Sequence, residues 1–80
     1  MSHTTYIIYS KQINKYYTGY TSIGVINLIK RHNYIHRGFT GKANDWKLIF
    51  TQSFKSSTDA RNLELKIKKR GAKRFLHDKS

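Results

Sequence analysis

Two short runs of aromatic and β-branched residues, Tyr6-Ile7-Ile8-Tyr9 and Tyr16-Tyr17-Thr18, lie close together with only the mostly polar stretch Ser10 to Lys15 between them. Such side chains suit a pleated surface. The link is too short for a crossover, so the two strands must run antiparallel. Asn14, just before the second run, tolerates the backbone of a tight turn. The reading is therefore a β-hairpin that ends at Gly19. Tyr6 and Tyr17, near the ends remote from the turn, are expected to face one another across the ladder. A tyrosine pair is ordinary core material. It becomes a candidate site only if the rest of the chain adds phosphate binding and a metal ligand.

Composition narrows the choices. The sequence of 80 residues is one domain, residues 1–80, with room for a modest core. It holds no cysteine, which excludes a disulfide frame and a cysteine zinc site. An aromatic content of 14% argues against a disordered chain. No apolar run approaches the ~18 residues needed to span a bilayer, and Met1-Ser2-His3-Thr4-Thr5 is unlike a signal peptide, so the expected location is cytoplasmic with no membrane contact. Sixteen Lys and Arg against four Asp and Glu give a formal charge of +12. On so small a chain that excess implies a polyanionic partner, most simply nucleic acid. The blander readings are a basic protein that is merely soluble, or one that sits on acidic lipid or ribosomal RNA.

Beyond the hairpin, Ser22 can cap a helix along which Val25, Leu28, Ile29 and His32 recur at helical spacing. Asn27, Lys30 and Arg31 then point towards solvent or a ligand, and Asn33 ends the helix. Tyr34 to Asp45 reads as a loop, broken by Gly38 and Gly41 and made basic by His36, Arg37 and Lys42. Trp46 to Phe54 is the third strand. Ser57 or Thr58 can cap a following helix, with Asp59 complementing its dipole, and Ala60, Leu63, Glu64 and Ile67 share one face. Gly71 interrupts this helix, and a short basic helix over Lys73 to His77 follows. The fold class is α+β: a small three-stranded antiparallel sheet flanked by helices, in the order β-β-α-β-α-(α).

Of the four carboxylates, Asp45 lies in a loop, Asp59 at a helix start and Asp78 in the tail. Glu64 alone lies beside an apolar stripe. One reading is that it borders the core and pairs with Lys68, four residues on. The other is a ligand for one divalent ion, because Mg²⁺ prefers oxygen and keeps several waters, so a single carboxylate plus a substrate phosphate can hold it. His32 on an apolar helical face is more often packed core than catalyst. No spacing suggests a zinc site. No glycine-rich phosphate loop precedes a helix.

Taken in order, Tyr6, Tyr17-Thr18-Gly19, a helix ending in His32-Asn33, Gly38-Phe39-Thr40-Gly41, Trp46-Lys47-Leu48, Asp59-Ala60, Glu64 and Ile67-Lys68 form a pattern. It resembles the GIY-YIG endonuclease domain in its small standalone form, related to the N-terminal nuclease domain of UvrC and to YhbQ-like proteins. The resemblance runs from about Thr4 to Leu76. Thr4-Thr5-Tyr6 stands where the family has Gly-Ile-Tyr, and Thr18 replaces the central Ile of the second motif. The family's first-helix arginine falls on Leu28, with Arg31 one turn further on.

The resemblance implies a DNA endonuclease that hydrolyses phosphodiester bonds with a divalent ion, Mg²⁺ or Mn²⁺. Glu64 would hold the metal, Tyr6 or Tyr17 would activate or orient the attacking water, and His32 would assist. A phenol with a reference pKa near 10 needs neighbouring positive charge to act as a base, for which Lys15, Lys30, Arg31 and Lys68 are candidates. Lys30, Arg31, Lys42, Lys66, Lys68, Lys69, Arg70, Lys73 and Arg74 would grip the phosphate backbone, which positions a substrate without reading bases. The alternative is a non-catalytic nucleic-acid-binding domain of the same fold, in which Leu28 has replaced the arginine. Binding alone requires neither Glu64 nor a metal.

Overall fold

The computed structural model describes residues 2–22, 24 and 43–79. Most of the expected helix from Ser22 to Asn33 and the loop after it as far as Lys42, including Leu28, Lys30, Arg31 and His32, lie outside the described residues.

The described chain forms a three-stranded antiparallel sheet of β1 (His3–Ser10), β2 (Lys15–Thr21) and β3 (Lys47–Phe54), followed by two helices, α1 (Ser57–Arg70) and α2 (Ala72–Lys79). The strand order is β2-β1-β3, so β1 is central and hydrogen-bonds on both sides. This explains why Thr5, Ile7 and Ile8 have no exposure at all. The hairpin runs on to Thr21, two residues past Gly19, where it had been expected to end.

The turn is tight because Asn14 adopts φ 52°, the left-handed region that asparagine tolerates better than most residues. Tyr9 Oη donates to Asn14 Oδ1 at 2.6 Å and fixes that residue from the strand side. From outside the hairpin, Asp45 accepts the Ser10 hydroxyl at 2.5 Å and the Gln12 backbone N–H at 3.0 Å. The Gln12 side chain in turn accepts the Asn44 N–H at 3.3 Å. Asp45 is thus a latch between the hairpin tip and the chain entering β3, and not only a loop carboxylate.

These hydrogen bonds, the Ser10 hydroxyl first, hold the Asp45 carboxyl below the usual carboxylate range. A folded pKa below the unfolded one contributes stability that is present above the unfolded pKa and lost as pH falls through the folded one. Thermal melting should therefore find Asp45→Asn less stable than wild type near neutrality. The gap should close as pH drops below about 4. A gap that stays constant into strong acid would show that the carboxylate charge is not what holds the latch.

β1 alternates cleanly between two cores. Ile7 faces the helices and packs with Ile67 and Phe75, against half-buried Phe50, Leu63 and Leu76. Tyr6 and Ile8 face the other side, with Ala43 and Trp46 over them. Each fully buried isoleucine contributes about 1.5–3 kcal/mol, so Ile7, Ile8 and Ile67 form the main apolar anchor. A register shift between Ile7 and Ile8 leaves Ile49 of β3 without a partner on β1. That residue is correspondingly exposed.

The cap of α1 is Ser56, whose Oγ accepts the Thr58 N–H at 3.1 Å, and not Ser57 or Thr58 as the sequence suggests. Thr5 Oγ1 donates to the Ala60 carbonyl at 2.7 Å and ties the first turn to the central strand. Gly71 ends α1 at φ 95°, where its N–H still reaches the Ile67 carbonyl at 2.7 Å. A side chain is disfavoured at that φ, so a glycine marks the corner. The last helix is longer than Lys73 to His77: it runs from Ala72 to Lys79.

Candidate active site

The ladder pairs Tyr6 with Gly19 and Ile8 with Tyr17. The two tyrosines therefore do not face one another directly, as the hairpin reading had it. They are diagonal neighbours on one face of the sheet, with ring centroids 6.5 Å apart and a tilt of 38°. The residue opposite Tyr6 is a glycine for a steric reason. A Cβ on Gly19 would lie 2.6 Å from Tyr6 Oη and 2.9 Å from its Cζ. The missing side chain lets the Tyr6 ring lie across β2 while only 3% exposed. In the sequence Gly19 stands only as the last residue of the Tyr17-Thr18-Gly19 motif. Its signal was legible in principle as a glycine facing an aromatic ring, had the register been known.

Glu64 comes from the other side of the sheet. On α1, Ala60 and Ile67 are buried and Leu63 is half-buried, which sets the stripe that faces the strands. At 100° per residue, Glu64 and Lys68 lie on one flank of that stripe, and Lys66, Lys69 and Arg70 on the other. The first flank borders β2, where Lys68 lines a cleft with Tyr16, Tyr17, Thr18 and Ala72. The Glu64 side chain is 14% exposed and Lys68 Nζ stands 3.4 Å from Glu64 Oε2. The i,i+4 pair foreseen as the ordinary explanation of Glu64 is thus formed.

The carboxylate also acts on Tyr6. The Tyr6 phenol is pushed above its ordinary value, first by burial, then by Tyr17 and by the negative charge of Glu64. Tyr6, Tyr17 and Glu64 therefore share one electrostatic neighbourhood, although they come from opposite faces of the sheet. A phenol so placed keeps its proton at neutral pH, so Tyr6 is equipped to donate a hydrogen bond and not to act as a base.

Among the described residues, the basic side chains of the two helices from Lys66 onwards separate into three places. Lys68 stands beside Tyr17. Lys66, Lys69 and Arg70 line a groove with Gln52, Leu63, Phe75 and Lys79. Lys73 and Arg74 are exposed on α2 beside Leu76 and His77. Arg70 is engaged by Asp78, its Nε 2.8 Å from Asp78 Oδ2, which raises the guanidinium further and lowers the carboxyl. Lys79, unmentioned in the sequence reading, lies 5.5 Å from the centroid of Phe50 and 5.2 Å from that of Phe75. Its ammonium caps the edge-to-face pair of those rings.

The donor set around Glu64 can be tested for a metal. It offers a carboxylate, with the phenols of Tyr6 and Tyr17 and the hydroxyl of Thr18 in the same region. Among the described residues no group of three or more His, Cys, Asp and Glu side chains converges. One carboxylate among oxygen donors fits a hard cation that keeps most of its water, such as Mg²⁺ or Mn²⁺, and does not fit a zinc site of nitrogen and sulfur ligands.

Comparison with known proteins bears on the fold and the family. No curated protein matches the chain. Among solved structures it is similar to the UPF0213 protein BH0048 from Bacillus halodurans, at 28% identity and a TM-score of 0.58, over 98% of this chain and 84% of that one. The GIY-YIG catalytic domain family matches residues 2–76, a span that holds both tyrosines, Gly19 and Glu64. On that match, the chain belongs to the GIY-YIG family of nuclease domains.

Proposed function

We propose that this chain is a metal-dependent endonuclease that hydrolyses DNA phosphodiester bonds. The observation that carries the reading is Glu64: a largely buried carboxylate in a chain of net charge +12 whose negative charge acts on Tyr6, itself a diagonal neighbour of Tyr17. Glu64 is the residue to hold Mg²⁺ or Mn²⁺, which when bound stabilises charge on the phosphate and on the leaving oxygen. Tyr6, held protonated, donates to a phosphate oxygen or to the attacking water. Tyr17, half-buried beside the cleft, orients the water from the other side. His32 assists, and Lys30, Arg31 and Lys42 contribute phosphate contacts with Lys66, Lys69, Lys73 and Arg74. The positively charged surface holds the backbone in place for the reaction and does not read base sequence.

The test is cleavage of supercoiled, linear, single-stranded and branched DNA by the pure protein with Mg²⁺, with Mn²⁺ or with chelator. Cleavage should require the ion, and Tyr17→Phe should slow it by about 10²-fold, the scale of a lost proton-handling group. Cleavage that persists in chelator would sink the proposal. A second reading, a nucleic-acid-binding domain without turnover, is favoured by Leu28 in the place of the family's arginine. Tight DNA binding with no cleavage under any condition would establish it.

A further inference from the structure

We propose that Lys68 is a cation-released phosphate clamp: it neutralises Glu64 until a divalent cation arrives, and then turns to hold a substrate phosphate in the adjoining cleft. This rests on the reading of Glu64 as the cation ligand and adds to it a second, separable role one helical turn away.

Two features of the geometry support it. The ion pair is asymmetric. The Glu64 side chain is 14% exposed, whereas that of Lys68 is 51% exposed, its ammonium 3.4 Å from the carboxylate. Lysine is a hydrated point charge on a flexible stem, so its head can move while its backbone stays in α1. The second feature is where it can move to. Lys68 lines a cleft of about 320 Å³ together with Tyr16, Tyr17, Thr18 and Ala72, so the space beside the pair already has one cationic wall and hydroxyl-bearing neighbours.

The charge argument connects these two features. A divalent cation on Glu64 repels the ammonium now nearest to it, and the pair cannot persist at contact distance. An ammonium displaced into the cleft meets no other carboxylate among the lining residues. What satisfies it there is an anion from outside, and in a nucleic-acid partner that anion is a phosphate of the backbone. The cation and the phosphate then help one another through Lys68. By linkage the effect is reciprocal: bound DNA raises cation affinity by the same factor as the cation raises DNA affinity.

The experiment measures binding, not turnover. Mn²⁺ is titrated calorimetrically into the protein alone and into the protein saturated with a short phosphorothioate duplex, which resists hydrolysis. Wild type is compared with Lys68→Gln, Glu64→Gln and Lys55→Gln, the last being an equal charge change on an exposed residue remote in sequence from the pair. Without duplex, Lys68→Gln should bind Mn²⁺ about fivefold more tightly than wild type, because the competitor for Glu64 is gone. With duplex the two should converge, because the wild-type ammonium has by then left Glu64 for the phosphate and no longer competes with the cation. Lys55→Gln should follow wild type in both.

Other outcomes overturn the idea in distinguishable ways. If Lys68→Gln binds Mn²⁺ more tightly than wild type by the same factor with and without duplex, Lys68 is a permanent partner of Glu64 and no clamp. If it is unchanged without duplex, Lys68 never competes with the cation. If Glu64→Gln binds Mn²⁺ as wild type does, Glu64 is not the cation ligand, and the functional reading fails together with the clamp.

Discussion

Replacing Glu64 by Gln is expected to lower cation-dependent DNA cleavage by about 10³-fold, on the scale of removing one preorganised electrostatic group from a reaction centre. The fold should survive. Glu64 is not one of the buried anchors, and its ion pair among the described residues is an i,i+4 contact with a half-exposed lysine, which contributes only about 0.3–0.5 kcal/mol. Gln keeps the shape and the hydrogen-bonding oxygen but removes the charge that would bind a hard cation. Chemical denaturation of the variant should therefore nearly overlay that of wild type, while Mn²⁺ binding and cleavage fall together. Wild-type cleavage by Glu64→Gln would leave Glu64 as nothing more than the helix-surface partner of Lys68.

The second large effect concerns a residue that touches no substrate. Gly19→Ala places a methyl group 2.6 Å from Tyr6 Oη and 2.9 Å from Cζ, closer than real Cβ atoms approach other heavy atoms. The ring cannot swing away cheaply, because Ile8, Ala43 and Trp46 enclose the same cluster. Overpacking of this kind costs about 1–3 kcal/mol. A chain of this size has a stability of roughly 0.05–0.15 kcal/mol per residue, so the loss is a large fraction of the whole. Urea unfolding should show it directly. Cleavage measured well below the unfolding midpoint should drop further than the unfolded fraction explains, because the displaced phenol no longer lies beside Tyr17 and Glu64. A double-mutant cycle with Tyr6→Leu isolates the cause. If the clash is direct, removing the ring relieves most of the alanine penalty, whereas strictly additive losses would mean that Gly19 acts through the backbone instead.

The two predictions differ in how far the sequence prepared them. Glu64 was legible because acidic residues are scarce here, and three of the four had ordinary explanations. The hairpin was legible because strand-forming residues and a turn-tolerant asparagine lie within a short stretch. Helix α1 was legible from its apolar stripe, and its cap was misplaced by one or two residues because Ser56, Ser57 and Thr58 can all accept the same kind of hydrogen bond. The register was not legible. A hairpin with a four-residue turn and one that is slightly longer or shorter present similar patterns to a reader of the sequence, yet they place different residues opposite Tyr6. That ambiguity is why the tyrosines were expected face to face and are instead diagonal. The role of Asp45 was hidden for a related reason. Its partners, Ser10 and Gln12, are more than thirty positions away, and no local pattern links them.

By itself, the sequence determined that this chain is a strongly basic α+β unit with a hairpin of aromatic and β-branched strands and only four carboxylates. Those properties follow from composition and short-range periodicity, which the chain carries before it folds. Only the tertiary structure decided that Gly19 makes room for Tyr6, that Glu64 reaches the tyrosines from the opposite face of the sheet, and that the cations of α1 divide between two flanks. Each of these depends on strand register or on the rotation of a helix about its axis. Both are set by which side chains can be buried together across long sequence separations, and the buried contacts of Ile7 with Ile67 and Phe75 are what fix them here.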